Sequence, residues 1–211
     1  HSAIFSRLSL QWEPMRALTV VYDLGLGGTQ RAAINFANAY AELGCASGIW
    51  ATRDLGARKS ELDSRVTLFA PDTNLSAIEL WGPETVHLVS HSLEETEVRR
   101  LHDVCSTGTV WLEHNVFAEP SPWQDLLDRV FAFSRWCSYQ YLAHETNHTA
   151  SLEILPLPVT SQGYQKDVRA RQRFRKRVGI PPDATVLGRV GQPLLYKWSP
   201  KIIDAYEELA S

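Results

Sequence analysis

A chain of 211 residues, 44% hydrophobic and with a formal net charge of −3, has the length of one ordinary domain plus part of a second. Its weakly acidic balance argues against a nucleic-acid partner, and no stretch approaches the roughly 18 apolar residues of a membrane span. Cys45, Cys105 and Cys137 are odd in number, widely spaced and set in helical patterns, so buried thiols in a reducing, cytoplasmic compartment are expected; no signal-peptide pattern opens the chain.

Residues 1–14 show no clear periodicity and Met15-Arg16 directly precedes the first apolar run, so the ordinary start is expected at Met15, with 1–14 an extension. Leu18-Thr19-Val20-Val21-Tyr22 predicts the first strand. Gly27-Gly28 follows, and then Ala33, Phe36, Ala37, Tyr40 and Leu43 recur at helical spacing until Gly44 stops the pattern. Strand, glycine turn and helix start together make an anion site. Glycine lets the backbone approach a ligand, while free N–H groups and the positive end of the helix dipole favour a phosphate or a sugar oxyanion. The segment Gly25-Leu26-Gly27-Gly28-Thr29-Gln30 lacks the complete G-x-G-x-x-G fingerprint, and no lysine follows as a P-loop requires. A tight turn that holds no ligand fits the same residues.

Short apolar runs continue at Gly48–Ala51, Val66–Ala70, Val86–Val89, Thr109–Leu112, Val130–Phe133, Leu152–Leu155 and Val186–Val190, separated by helical or loop segments. Strands alternating with helices predict a Rossmann-like, doubly wound parallel α/β sheet, whose ligands bind beyond the carboxyl ends of the strands. His114 closes one run and is a candidate ligand-contacting residue, or alternatively a capping or core-edge histidine. His87 and His91 read as structural, although His91 also ends a strand. The seven tryptophans could stack on sugar rings, but Trp50 and Trp111 fit a core position equally well, and Trp123 and Trp198 are the better candidates for exposure.

The composition changes near the carboxyl end. Leu155-Pro156-Leu157-Pro158 and Ser161-Gln162-Gly163 form a turn-rich link, followed by a basic run with Lys166, Arg169, Arg171, Arg173, Arg175, Lys176 and Arg177. This run is read as the solvated face of a linker helix, with attraction to an anionic membrane surface as the alternative. Gly179-Ile180-Pro181-Pro182 ends it, and the strand Val186–Val190, the loop Gly191–Trp198 and a helix capped by Ser199-Pro200 open a second α/β unit. A cation in that loop, Lys197 above all, would suit a bound diphosphate.

Five landmarks in order resemble the retaining glycosyltransferases of the GT-B fold, the large family four. They are Gly27-Gly28-Thr29-Gln30-Arg31 with its helix, Val86–His91, Thr109–Asn115, Phe131–Ser134 and Gly188–Lys197. The resemblance runs from about Met15 to the end. It implies a first Rossmann-like domain over 15–160 that holds the acceptor, and a linker with the start of a donor-side domain over 161–211. It also implies a nucleotide-sugar donor, a saccharide or lipid-linked acceptor, and transfer with retention at the inner face of a membrane. No cofactor and no metal are implied, because helix dipoles and basic side chains stabilise the leaving diphosphate. By the same resemblance the Gly27 and Gly28 amides approach the donor phosphate or the acceptor, Arg189 and Lys197 meet the donor phosphates, His114 contacts the transferred sugar, and Thr29, His91, Asn115 and Ser134 stand near sugar or acceptor.

Two departures accompany it. Gly191-Gln192 stands where the family has Gly-Arg five residues before its lysine, so the guanidinium is missing or is supplied by Arg189. The family's paired glutamates, seven residues apart, would fall beyond Ser211, so most of the donor domain is expected to be absent and the 211 residues alone are not expected to be a competent enzyme. A non-catalytic Rossmann-like module that binds a phosphorylated ligand or a partner protein is the competing expectation.

Overall fold

Branched and aromatic residues in continuous runs make strands that are covered on both faces, which is the pattern of a parallel sheet rather than a half-exposed antiparallel one. In the computed structural model, which describes residues 13–89, 92–144, 150–159, 167–186, 201, 204, 207 and 208, these runs form a seven-stranded, wholly parallel sheet. Its strands are β1 (Arg16–Asp23), β2 (Ala46–Asp54), β3 (Thr67–Phe69), β4 (Thr85–Val89), β5 (Val110–Asn115), β6 (Arg129–Ala132) and β7 (Ser151–Ile154). Their spatial order, β3-β2-β1-β4-β5-β6-β7, reverses direction between β1 and β4. That switch point opens a crevice beyond the carboxyl ends of these two strands.

Helices connect the strands: α1 (Gly28–Glu42), α2 (Leu75–Trp81), α3 (Glu95–Val104) and α4 (Arg135–His144). Side chains alternate between two cores. Val21, Ile49, Ala51 and Val89 pack against Ala33, Ile34, Phe36 and Ala37 of α1, whereas Leu18, Val20, Trp50, Val86, Leu88 and Trp111 pack on the other side with Ile78, Val98, Leu101 and Tyr141. Gly48 keeps the second layer close, since a Cβ there would stand 3.1 Å from Phe69 and 3.2 Å from Trp81. α1 ends as its sequence predicts. Gly44 takes φ +85, and its N–H donates to the carbonyl of Ala41.

The chain divides into two compact units, His1–Thr160 and Ser161–Ser211. In the second, the basic run forms α5 (Val168–Val178), with the Asp167 side chain accepting from the Ala170 amide and Gly179 left-handed beyond its end. Arg175 is not part of a solvated face: its guanidinium is buried and donates to the carbonyls of Pro181, Pro182 and Ala184. Of the strand expected at Val186–Val190, residues 187–190 lie outside the described residues, as do Lys166 and the loop 191–198. Lys201, Asp204, Glu207 and Glu208 are helical, within the stretch that Ser199-Pro200 predicts to be a helix.

Three expectations about burial change. Only Cys137 is buried; Cys45 and Cys105 are half-buried at helix ends, and all three are free thiols. Burial and the nearby Glu79 carboxylate push the Cys105 thiol up to about 11. Trp123 is core rather than exposed, because the loop after β5 folds back over the sheet and carries the indole inward.

Candidate functional site

The turn that leads into α1 is built from backbone. Asp23 ends β1 and its carboxylate accepts from the Gly25 amide at 2.7 Å, while Leu24 is fixed by hydrogen bonds from its N–H to Asp54 and from the Arg58 N–H to its carbonyl. Gly56, at φ +56, lies directly under Leu24: a Cβ there would stand 2.3 Å from the Leu24 carbonyl carbon. Gly27 is the N-cap of α1 and makes no side-chain cap, so the amides of the first turn have no side-chain acceptor at the cap. A Cβ on Gly28 would meet nothing within 4 Å, whereas at Gly27 the Gln30 side chain already lies over the turn, its Oε1 1.9 Å from where a Cβ would stand. Arg31 and Arg58 both reach the Glu61 carboxylate, at 2.5 and 2.8 Å, and with the Asp23 carboxylate on the Gly25 amide these four groups leave no net charge beside the turn.

His114 belongs to β5 itself, which runs on to Asn115. Strand alternation therefore sends the two side chains to opposite faces of the sheet. The His114 ring is enclosed with His87, its centroid 5.0 Å from that of Phe36 and 6.1 Å from that of His87, with Phe131 at 6.4 Å. The Tyr40 hydroxyl lies 3.0 Å from His87 Nδ1. Burial pushes His114 down to about 4; burial and then the neighbouring His114 push His87 down to about 3. Both rings are neutral at pH 7, so His114 can act there through hydrogen bonds but not as a cation.

On the opposite face Asn115 organises the loop that follows it. Its Oδ1 accepts from the Ala118 amide at 2.8 Å and its Nδ2 donates to the Glu119 carbonyl at 2.7 Å. The Ser121 hydroxyl donates to the fully buried Glu113 carboxylate. Arg99 of α3 donates to the Pro122 carbonyl and to Asp125, tying the loop to the helix. A pocket of about 370 Å³ lies between this loop and Ser92-Leu93 beyond β4.

The structure thus sets Gly27, Gly28, Thr29, His114, Asn115 and Ser134 along the carboxyl edge of β1, β5 and β6, but does not direct them at one point. Thr29 is buried in the first turn of α1. Ser134 caps α4, its hydroxyl accepting from the Cys137 amide at 3.2 Å. His91, Arg189 and Lys197 lie outside the described residues, as does Trp198. Neither Ala118 nor Gly56 is marked by its local sequence, and Glu113 only faintly. A lone glutamate inside the apolar run Val110-Trp111-Leu112-Glu113 was the one available signal, since a buried carboxylate requires a partner. Among the described residues, no group of three or more His, Cys, Asp or Glu side chains could hold a metal ion, and no helix is long and apolar enough to cross a membrane.

No protein-family model matches the chain, and no curated protein does. Among solved structures it is similar to the crystal structure of a glycosyltransferase from Rickettsia africae ESF-5, at a TM-score of 0.61 and 15% identity, over 82% of this chain and 51% of that one. The chain spans about half the length of that structure. The likeness establishes the fold, a Rossmann-like parallel α/β sheet flanked by helices.

Proposed function

We propose that this chain holds the diphosphate of a nucleotide-sugar on the glycine turn before α1 and serves in glycosyl transfer to a saccharide or lipid-linked acceptor, with retention, as one half of a GT-B enzyme. The observation that carries the reading is the start of α1 at the switch point of the sheet, which has no side-chain cap and where a Cβ on Gly28 would meet nothing within 4 Å. The likeness in fold to a glycosyltransferase supports it.

The chemistry follows from the turn. As the bond from sugar to phosphate breaks, negative charge grows on the leaving diphosphate, and fixed N–H dipoles stabilise it without reorganising. Lys197, and Arg189 in place of the guanidinium that Gln192 lacks, are proposed as further cations on the diphosphate. His114, neutral and enclosed, is proposed as a hydrogen-bonding contact to the transferred sugar once a ligand opens its cover. Asn115, Thr29, His91 and Ser134 are proposed to shape the sugar or acceptor vicinity.

The test is turnover of nucleotide-sugars by the protein as its gene encodes it. The account expects release of nucleoside diphosphate that falls at least tenfold, about 1.4 kcal/mol, in Gly28→Val. Full turnover in a folded Gly28→Val protein would refute it, and tight binding without turnover would favour a non-catalytic binding module.

A further inference from the structure

Helix α5, in the second unit, carries a charge pattern that the glycine-turn site does not use. It holds six of the chain's 21 lysines and arginines and none of its 24 carboxylates, although the chain as a whole is net negative. Arg169 and Arg173, Arg171 and Arg175, and Arg173 and Arg177 stand four residues apart, where like charges repel along a helix. Among the described residues the helix makes a single ion pair, from Arg173 to Asp167 at 3.9 Å. Eleven residues are too few for a helix to stand on propensity alone, so an anionic partner that offsets this repulsion would stabilise it.

The surface of the helix specifies that partner. Arg175 is buried and ties the helix to the turn that follows, through the carbonyls of Pro181, Pro182 and Ala184, and the other five cations are exposed. Ala170, Phe174 and Val178 recur at every fourth position and form one stripe, in which Phe174 is 50% and Val178 47% exposed. Arg173 and Arg177 run along one side of the stripe and Arg171 along the other. The Arg177 guanidinium stands 5.5 Å from the centre of the Phe174 ring. An apolar stripe with cations on both flanks is the pattern of a helix lying in the plane of a membrane interface: the ring enters at the acyl boundary while the long basic side chains reach the lipid phosphates. A free phosphate or polyphosphate would satisfy some of these cations but leave Phe174 and Val178 in water.

We propose that α5 docks this protein on an anionic lipid surface, with Phe174 and Val178 inserted and Arg171, Arg173 and Arg177 on the headgroups. Arg169 and Lys176 add to the attraction from the outer side of the helix. This docking does not rest on the glycosyl-transfer reading above.

The experiment is flotation with phospholipid vesicles, carried out on this chain and on the protein as its gene encodes it. Vesicles of phosphatidylcholine alone are compared with vesicles that also contain roughly 30% phosphatidylglycerol. Both proteins are expected to bind the anionic vesicles at least about tenfold more tightly than the neutral ones, and less tightly as salt is raised. Each cation at such a surface is worth about fivefold, so Arg171→Gln combined with Arg173→Gln should weaken binding roughly 25-fold. Lys59→Gln combined with Arg135→Gln removes the same charge from exposed positions elsewhere and should change it less than about threefold. Phe174→Ala keeps every charge and should weaken binding roughly tenfold, which separates insertion from attraction alone. All five side chains are exposed, so none of these variants should lower the unfolding midpoint. Equal binding to both kinds of vesicle, a loss in the Lys59 and Arg135 variant as large as that in the α5 variant, or full affinity in Phe174→Ala would each overturn the docking face. Binding by this chain but not by the whole protein would show the face to be covered by other parts of that protein, and no binding to either vesicle would leave an acidic protein surface as the partner of the helix; both results also sink the proposal.

Discussion

Lowering the pH from 7 to 5 should weaken the fold through two residues that sit behind the proposed site. His87 and His114 are enclosed between the sheet and α1, both beside the Phe36 ring, with His87 held down to about 3 and His114 to about 4 by burial. An unfolded histidine titrates near 6.5. The folded state therefore binds fewer protons than the unfolded one between these values, so stability rises with pH through the window. The contribution is complete above about 6.5 and is lost as pH falls toward 4. At pH 5 each unfolded histidine has gained a proton that its folded counterpart has refused. The difference of about 1.5 units costs about 2 kcal/mol per ring, hence about 4 kcal/mol for the pair. Against a total of roughly 5–15 kcal/mol this is a large fraction. Asp63 and Asp125 do not add to the loss, because Arg65 and Arg99 hold their carboxyls below the usual range and they stay ionised. Urea unfolding at pH 7, 6 and 5 measures the effect, and His87→Leu should remove about half of the pH dependence. A stability at pH 5 within about 1 kcal/mol of that at pH 7, or an undiminished slope in His87→Leu, would show that these rings are not buried and neutral as described.

Three substitutions separate site from scaffold. Gly28→Ala places a methyl where nothing lies within 4 Å and should leave stability unchanged or raised by about 0.4–1 kcal/mol, while weakening diphosphate binding; a drop in the urea midpoint would contradict the open geometry. Gly56→Ala puts its Cβ 2.3 Å from the Leu24 backbone at φ +56 and should cost about 2–4 kcal/mol; a thermal midpoint equal to that of the parent would show that the turn yields easily. Asn115→Ala removes both braces of the loop at Ala118 and should cost about 1–3 kcal/mol, whereas an unchanged urea midpoint would mean that the loop holds itself.

Much of the fold was legible because parallel strands buried on both faces leave continuous apolar runs. Those at Gly48–Ala51, Val86–Val89 and Leu152–Leu155 each fall in or beside β2, β4 and β7. The boundary of β5 was harder to see. The run Thr109–Leu112 stops being apolar at Glu113, yet the strand continues, because Ser121 supplies the partner that lets a carboxylate stay inside the sheet. For the same reason His114 reads in sequence as a residue beyond a strand, whereas its ring is enclosed beneath α1. Trp123 looks exposed beside Pro120, Ser121 and Pro122, whereas the tertiary bonds of the loop, from Asn115, Ser121 and Arg99, accompany an indole packed in the core. The glycine turn was visible as a turn, but its support from Gly56 was not, since nothing local to Gly56 announces that Leu24 passes over it.

The central claim is that the first turn of α1 receives a diphosphate. Amide chemical shifts of the chain, recorded while inorganic pyrophosphate and then a nucleoside diphosphate are added, test it most directly. The account predicts saturable shifts concentrated on the amides of residues 27–30, shared by both ligands and abolished in a folded Gly28→Val variant. Shifts that spare residues 27–30, or that persist unchanged in Gly28→Val, would contradict it.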